Sequence, residues 1–401
     1  MCPARHRSGR VSGWRGPLLA AAVSAVFGVV IHEAGPVIPV QVAMVGLGVG
    51  LIGAAFMLAW AADAGEAVFS GGLVLAVVAL VTVLPEFIIE IRFAFIQATE
   101  LVTANLTGAT RLLLTGAAVL PLFILLIART RGGQDVAMLR LAENRRLELG
   151  ILLITSVFAS QIAIRGNLTA LDAIFLLGLY VLYARRVQGS HHEQPAVVGV
   201  GAGLLSLPEG YRRPAIAGMI VFAGAVVILI ANPFADALLA TGASLGIDPY
   251  LLIQSVVPMA TESPEFIVVA VLVANHRPAQ GLALFLASSV SQWTLGMALL
   301  PLAYLAGGGG VSMPLAAREQ LELAFTISLT LFVTAALATL RPQRSDAILV
   351  FSVFLAQLIY PTVLVRVAAA FVLLVFALDL LFARRRLIRP LLRAAWGRRR
   401  S

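Results

Sequence analysis

Apolar runs, most of them long enough to cross a bilayer, separated by short polar or arginine-bearing stretches, make up nearly the whole chain. A bilayer core is spanned by a helix of about 20 apolar residues. Such runs fall near residues 18–31, 40–64, 68–97, 99–128, 148–164 and 168–185, and again near 214–241, 246–275, 279–306, 321–340, 346–360 and 362–383. The pattern predicts an all-α polytopic membrane protein with about twelve transmembrane helices. It divides into a basic N-terminus with an extra helix (1–36), five helices (37–185), a polar and basic linker (186–213), five more helices (214–360), and an extra helix with an arginine-rich tail (361–401). The apolar run behind the basic N-terminus also has the makeup of a cleaved signal peptide. A retained helix is the favoured reading, because it closes the topology.

Polar positions inside the apolar runs are few, and they repeat. Residues 258–275 carry Glu262 and Glu265 beside Pro264, and the segment returning from them carries Ser288, Ser289, Ser291 and Gln292. A charged side chain at the bilayer centre costs about 2.5–3.5 kcal/mol on insertion scales, so it marks a cavity or a partner. Pro264 removes a backbone donor and frees the carbonyl of Ala260, and a broken helix at membrane depth needs protein or water around it. The string Thr82-Val-Leu-Pro85-Glu86-Phe87-Ile88 matches Thr261-Glu-Ser-Pro264-Glu265-Phe266-Ile267 at five of seven positions, offset by 179 residues. Two such copies, one per half, are the mark of a secondary transporter whose site lies where its repeats meet.

Charge sets the orientation. All but five of the 29 basic residues, every one an arginine, fall on the side of the N-terminus in the twelve-helix topology, as expected for a cytoplasmic face. The exceptions are Arg92, Arg111, Arg165, Arg318 and Arg366. Both termini are therefore expected in the cytoplasm, and five helices per half make the two copies inverted. With 60% hydrophobic and 12% charged residues, the chain is far from soluble composition. No basic patch on a soluble face offers a nucleic-acid site, and no protein partner is indicated; the expected partners are the lipid bilayer and inorganic cations. The single cysteine, Cys2, excludes an internal disulfide, and the five histidines sit mostly at predicted membrane edges.

Two copies of a Thr-x-x-Pro-Glu helix followed by a small, polar helix resemble the calcium/cation antiporter superfamily, the sodium/calcium exchanger membrane region, in a divergent bacterial-type form. Its motifs read roughly GTSLPE and then GNxxGSxxxN. The resemblance implies ten core helices in two inverted halves, with a cation bound between the two Glu-bearing helices. It implies Glu86 and Glu265 as the cation and metal ligands, Thr82 and Thr261 beside them, and a carbonyl from Ala79. Ser288 and Gln292 stand at ligand positions of the second repeat, with Glu262 added where the motif has Ser. The first repeat has Ala109 and Leu113 at the matching positions.

Arg111 departs most from that pattern. One expectation is that it faces the cavity and pairs with Glu86, Glu262 or Glu265, changing which cations fit. The other is a structural pairing with Glu100 at the helix edge. Thr110 and Asn105 are further modulators, and Glu90, one turn after Glu86, is a candidate proton relay. The functional expectation is a secondary antiporter exchanging calcium or another cation for sodium, in the plasma membrane, with no cofactor beyond the transported cations. Proton coupling is the alternative, and a non-transporting membrane scaffold or enzyme a distant one. Neither a nucleotide-binding GxxxxGK[ST] nor an HExxH pair occurs, so an enzyme is not expected.

Overall fold

The computed structural model describes residues 13–69, 83–131, 141–188, 197–275 and 277–396. An outer helix α1 (Arg15–Glu33) leads into the first half: α2 (Val40–Val68), α3 (Leu84–Phe95), α4 (Thr99–Arg131), α5 (Arg146–Arg165) and α6 (Ala170–Gln188). The short α7 (Gly199–Leu205) follows. The second half is α8 (Glu209–Leu245), the pair α9 (Pro249–Thr261) and α10 (Ser263–Ala274), the pair α11 (Pro278–Ser291) and α12 (Met297–Ala306), then α13 (Ala317–Leu337) and α14 (Arg344–Ile359). An outer helix α15 (Val363–Ala383) and the short α16 (Arg385–Trp396) end the described chain. Eight of the described helices are long and apolar enough to cross a membrane, and the bent pair α9–α10 makes a ninth span. The remaining predicted spans are α6, the sixteen-residue α14, and the run 68–97, of which α3 is the described end.

The two halves interlock symmetrically. α3 packs on α8 as α10 packs on α2; α4 meets α14 as α12 meets α6; α4 lies on α13 as α11 lies on α5. α2 with α8, α4 with α11 and α5 with α13 pack across the pseudo-axis itself. The outer helices stay peripheral, α1 on α2 and α15 on α13. Two three-residue strands, absent from the all-helical expectation, pair antiparallel at Asn167–Thr169 and Ser312–Pro314. They tie the α5–α6 turn to the segment before α13. At the end of α12, Gly307 packs so closely that a Cβ there would come within 1.8 Å of the Phe95 carbonyl.

Prolines shape the central helices. α9 starts at an Asp248 cap that accepts from the Tyr250 amide, with Pro249 in the first turn, and α9 and α10 meet at a 48° bend. Within α9, Pro258 frees the carbonyl of Gln254. Gly108 of α4 packs directly on that carbonyl, where any Cβ would sit 2.0 Å from the oxygen. We expect Gly108→Ala to push α4 and α9 apart and to destabilise the fold by about 1–3 kcal/mol, the usual cost of overpacking. A thermal melt of the purified variant in detergent should show a lower midpoint than the parent.

Candidate functional site

Both acid-bearing half-helices open the same way. Pro85 and Glu86 occupy the first turn of α3, and Pro264 and Glu265 the first turn of α10. Each carboxylate thus stands at the positive end of a helix dipole, on elements from opposite halves of the chain. The break before α10 is closed locally: Ser263 Oγ donates to the Ala260 carbonyl at 3.0 Å, the oxygen that Pro264 would otherwise leave bare. Thr261 Oγ1 donates to the Val257 carbonyl at 3.1 Å and keeps its lone pairs for the site.

Opposite these turns, α11 runs into α12 through a π-helical turn, Gln292–Gly296. Such widened turns recur at functional sites, and this one delivers Gln292 into the space between α3 and α9–α10. Gln292 Nε2 donates to Glu86 Oε2, and Glu262 faces the same cavity. Glu86, Glu262, Glu265, Thr261, Ser288 and Gln292, with Val83 and Pro85, line one cavity of about 10 Å³, room for a single water-sized particle. The three glutamates are at most 8% exposed. Glu86 Oε1, Glu265 Oε2 and Gln292 Oε1 are buried without a hydrogen-bond partner. These are hard oxygen donors, the kind that suits calcium or sodium. Among the described residues no three acidic, imidazole or thiol side chains converge tightly enough to share one metal ion. In this conformation the site is three carboxylates around one small cavity, with amide and hydroxyl oxygens completing the wall. Thr82 and Ala79 lie outside the described residues.

The sequence profile of the sodium/calcium exchanger protein family matches residues 38–187 and 215–383. The chain belongs to the sodium/calcium exchanger family. It is thus an integral membrane transporter, a secondary cation antiporter rather than an enzyme. Among solved structures, the crystal structure of the H+/Ca2+ exchanger CAX is similar with a TM-score of 0.88 and 29% identity, covering 96% of this chain and 98% of that one. The Ca2+/H+ antiporter protein YfkE resembles it at 14% identity with a TM-score of 0.60, over 90% of this chain and 99% of that chain. The sodium–calcium exchanger NCX_Mj follows at 16% and 0.51, over 86% of this chain and the whole of the other. At those lower identities the likeness is one of fold. No curated protein matches.

The remaining candidates in the exchanger divide. Glu90, 1% exposed, sits one turn along α3 from Glu86; its Oε1 accepts from Asn105 Nδ2 at 3.3 Å and its Oε2 has no partner. Thr110 donates to the Leu106 carbonyl of its own helix at 2.7 Å and does not line the cavity. Arg111 does not enter the site and does not pair with Glu86, Glu262, Glu265 or Glu100. It lies on another face of α4, where Nη2 donates to Glu322 of α13 at 2.6 Å, Nη1 to Gln357 of α14 at 3.1 Å, and Nε to the Thr107 carbonyl at 3.0 Å. Glu322 also holds Arg366 of α15 in an ion pair and accepts from Gln254 of α9 at 3.1 Å. Glu100 is taken instead by Arg318, and Arg92 is paired with Asp236 at 2.8 Å. The physical reason is rotation about the helix: Thr107 and Arg111 share a stripe, and that stripe faces α13 and α9 rather than α3.

Glu322, Arg366 and Gln254 were not among the sequence candidates. A faint signal existed, an acid and an arginine placed just inside two apolar runs, but nothing in the pattern paired them. Glu322 is wholly buried between two guanidinium groups. Removing its charge leaves both uncompensated, so Glu322→Gln should destabilise the exchanger by about 3–5 kcal/mol. A melting curve in detergent checks this, with Glu265→Gln, which strands no buried arginine, as the comparison that keeps its midpoint.

Proposed function

We propose that the exchanger moves calcium against protons, with Glu86 and Glu265 as the principal cation ligands and Glu262, Gln292, Thr261, Ser288 and, from the first repeat, Thr82 and the Ala79 carbonyl around them. The observation that carries this reading is the gathering of Glu86, Glu262 and Glu265, all buried, around one small cavity. Like charges gathered in one buried cavity resist ionising together unless a cation or proton balances them. None of the described arginines forms an ion pair with Glu86, Glu262 or Glu265, so the compensating charge has to be mobile. A proton between the carboxylates and a calcium ion among their free oxygens are alternative ways to balance the same acids. The similarity to an H+/Ca2+ exchanger at 29% identity supports protons over sodium as the coupling ion, and Glu90 with Asn105 extends the acid chain away from the cavity along α3.

In this reading the cation waits at the meeting point of two inverted repeats, 37–185 and 214–360, and access alternates as one half rocks against the other. The arginine bias supports cytoplasmic termini in a bacterial plasma membrane.

The test is flux in proteoliposomes under calcium, sodium, potassium and pH gradients imposed in pairs. Calcium uptake driven by a pH gradient, unaffected by sodium, is the expected result; uptake that requires a sodium gradient overturns the choice of coupling ion. Glu265→Gln should abolish calcium flux, since an amide supplies neither the charge nor the exchangeable proton. Glu90→Gln should slow proton-driven uptake at least tenfold while calcium binding at equilibrium changes little, which isothermal titration checks.

A further inference from the structure

At the end of the molecule that carries the C-terminus, the chain leaves α15 and turns at Arg384, whose Nη1 donates to the last carbonyls of α13, Ala335 at 2.7 Å and Ala336 at 2.8 Å. It continues as α16, a short helix with its faces sharply divided. Leu391 and Ala395 are buried against α5, Leu387 and Ile388 are half-buried, and Arg385, Arg386, Arg389 and Arg393 are exposed. The docking is firm: a Cβ on Gly150 of α5 would meet the Leu391 carbonyl at 2.4 Å, and Arg186 donates to the Ala394 carbonyl at 3.0 Å. A basic amphipathic helix directly after a membrane span lies along the bilayer surface.

Between α16, the C-terminal end of α13 and the N-terminal end of α5 opens a pocket of about 500 Å³, the size of a small-molecule site. Its polar wall holds Arg341, Gln343, Thr339 and Arg146, and its apolar wall Leu340 and Leu387. The one acid there, Glu143, is paired with Arg146 at 2.8 Å, whereas Arg341, Arg344 and the exposed arginines of α16 enter no ion pair among the described residues. The pocket therefore presents uncompensated positive charge next to an apolar surface. Leu340 holds a left-handed backbone (φ 59°), a conformation unfavourable for a branched side chain. It persists because its side chain is 2% exposed and its carbonyl accepts from Leu141 at 2.9 Å. The pocket floor is thus built rather than slack.

We propose that this pocket, with the basic face of α16, binds the phosphate headgroup of an anionic phospholipid. A lipid answers both walls, phosphate to the arginines and acyl chain to Leu340 and Leu387, while a free phosphate would leave the apolar wall bare. Clusters of arginine at a membrane surface attract anionic headgroups by about fivefold in affinity for each arginine.

The experiment uses the purified full chain in detergent and native mass spectrometry with added phosphatidylglycerol or phosphatidylcholine. Phosphatidylglycerol should bind preferentially. Replacing two arginines, Arg341→Gln with Arg389→Gln, should weaken it about 25-fold, Arg341→Lys should retain it, and Arg277→Gln, outside the pocket, should leave it unchanged. Glycerol 3-phosphate should not displace the lipid. Equal binding of phosphatidylcholine, no loss in the double variant, an equal loss in Arg277→Gln, or displacement by glycerol 3-phosphate would each overturn the proposal.

Discussion

Charge held inside a bilayer has to be balanced where it stands, and the exchanger does this in two opposite ways. Around Glu322 the balance is permanent. Arg111 and Arg366 come from helices of the first half and of the C-terminal extension, and together they fix a buried acid of the second half. Around Glu86, Glu262 and Glu265 no such fixed ion-pair partner stands among the described residues. The low dielectric that makes an unpaired carboxylate costly is what makes the second cluster responsive.

The two clusters are joined through α9. Gln254 bonds to Glu322, and two turns later on the same helix stand Thr261 and Glu262 of the cavity. Pro258 lies between them, and the carbonyl it frees is covered by the bare backbone of Gly108. The half-helix that lines the cavity is therefore anchored at one end by a fixed ion network and bent at the other.

The peripheral parts follow the same logic at the membrane surface. The arginines of α16, which enter no ion pair among the described residues, face outward while the helix lays its apolar side on α5. The closed, structural arginines and the open, surface arginines thus serve different ends.

Much of this was written in the chain. Apolar run lengths set the spans, the odd number of spans per half set their inversion, and the repeated Pro-Glu-Phe-Ile string located the two half-helices, because each depends only on local spacing. The convergence of Glu86, Glu262, Glu265, Thr261, Ser288 and Gln292 was legible for the same reason: they lie on the broken helices and their returning partners. Arg111 was not. Its sequence position, close to expected ligands, carries no information about which side of α4 it occupies once that helix is packed. Only the tertiary structure brings Glu322, Gln357 and Arg366, more than two hundred residues away, onto that side. The π-helical turn at Gln292 and the two short strands likewise arise from how distant segments meet, which no local pattern encodes.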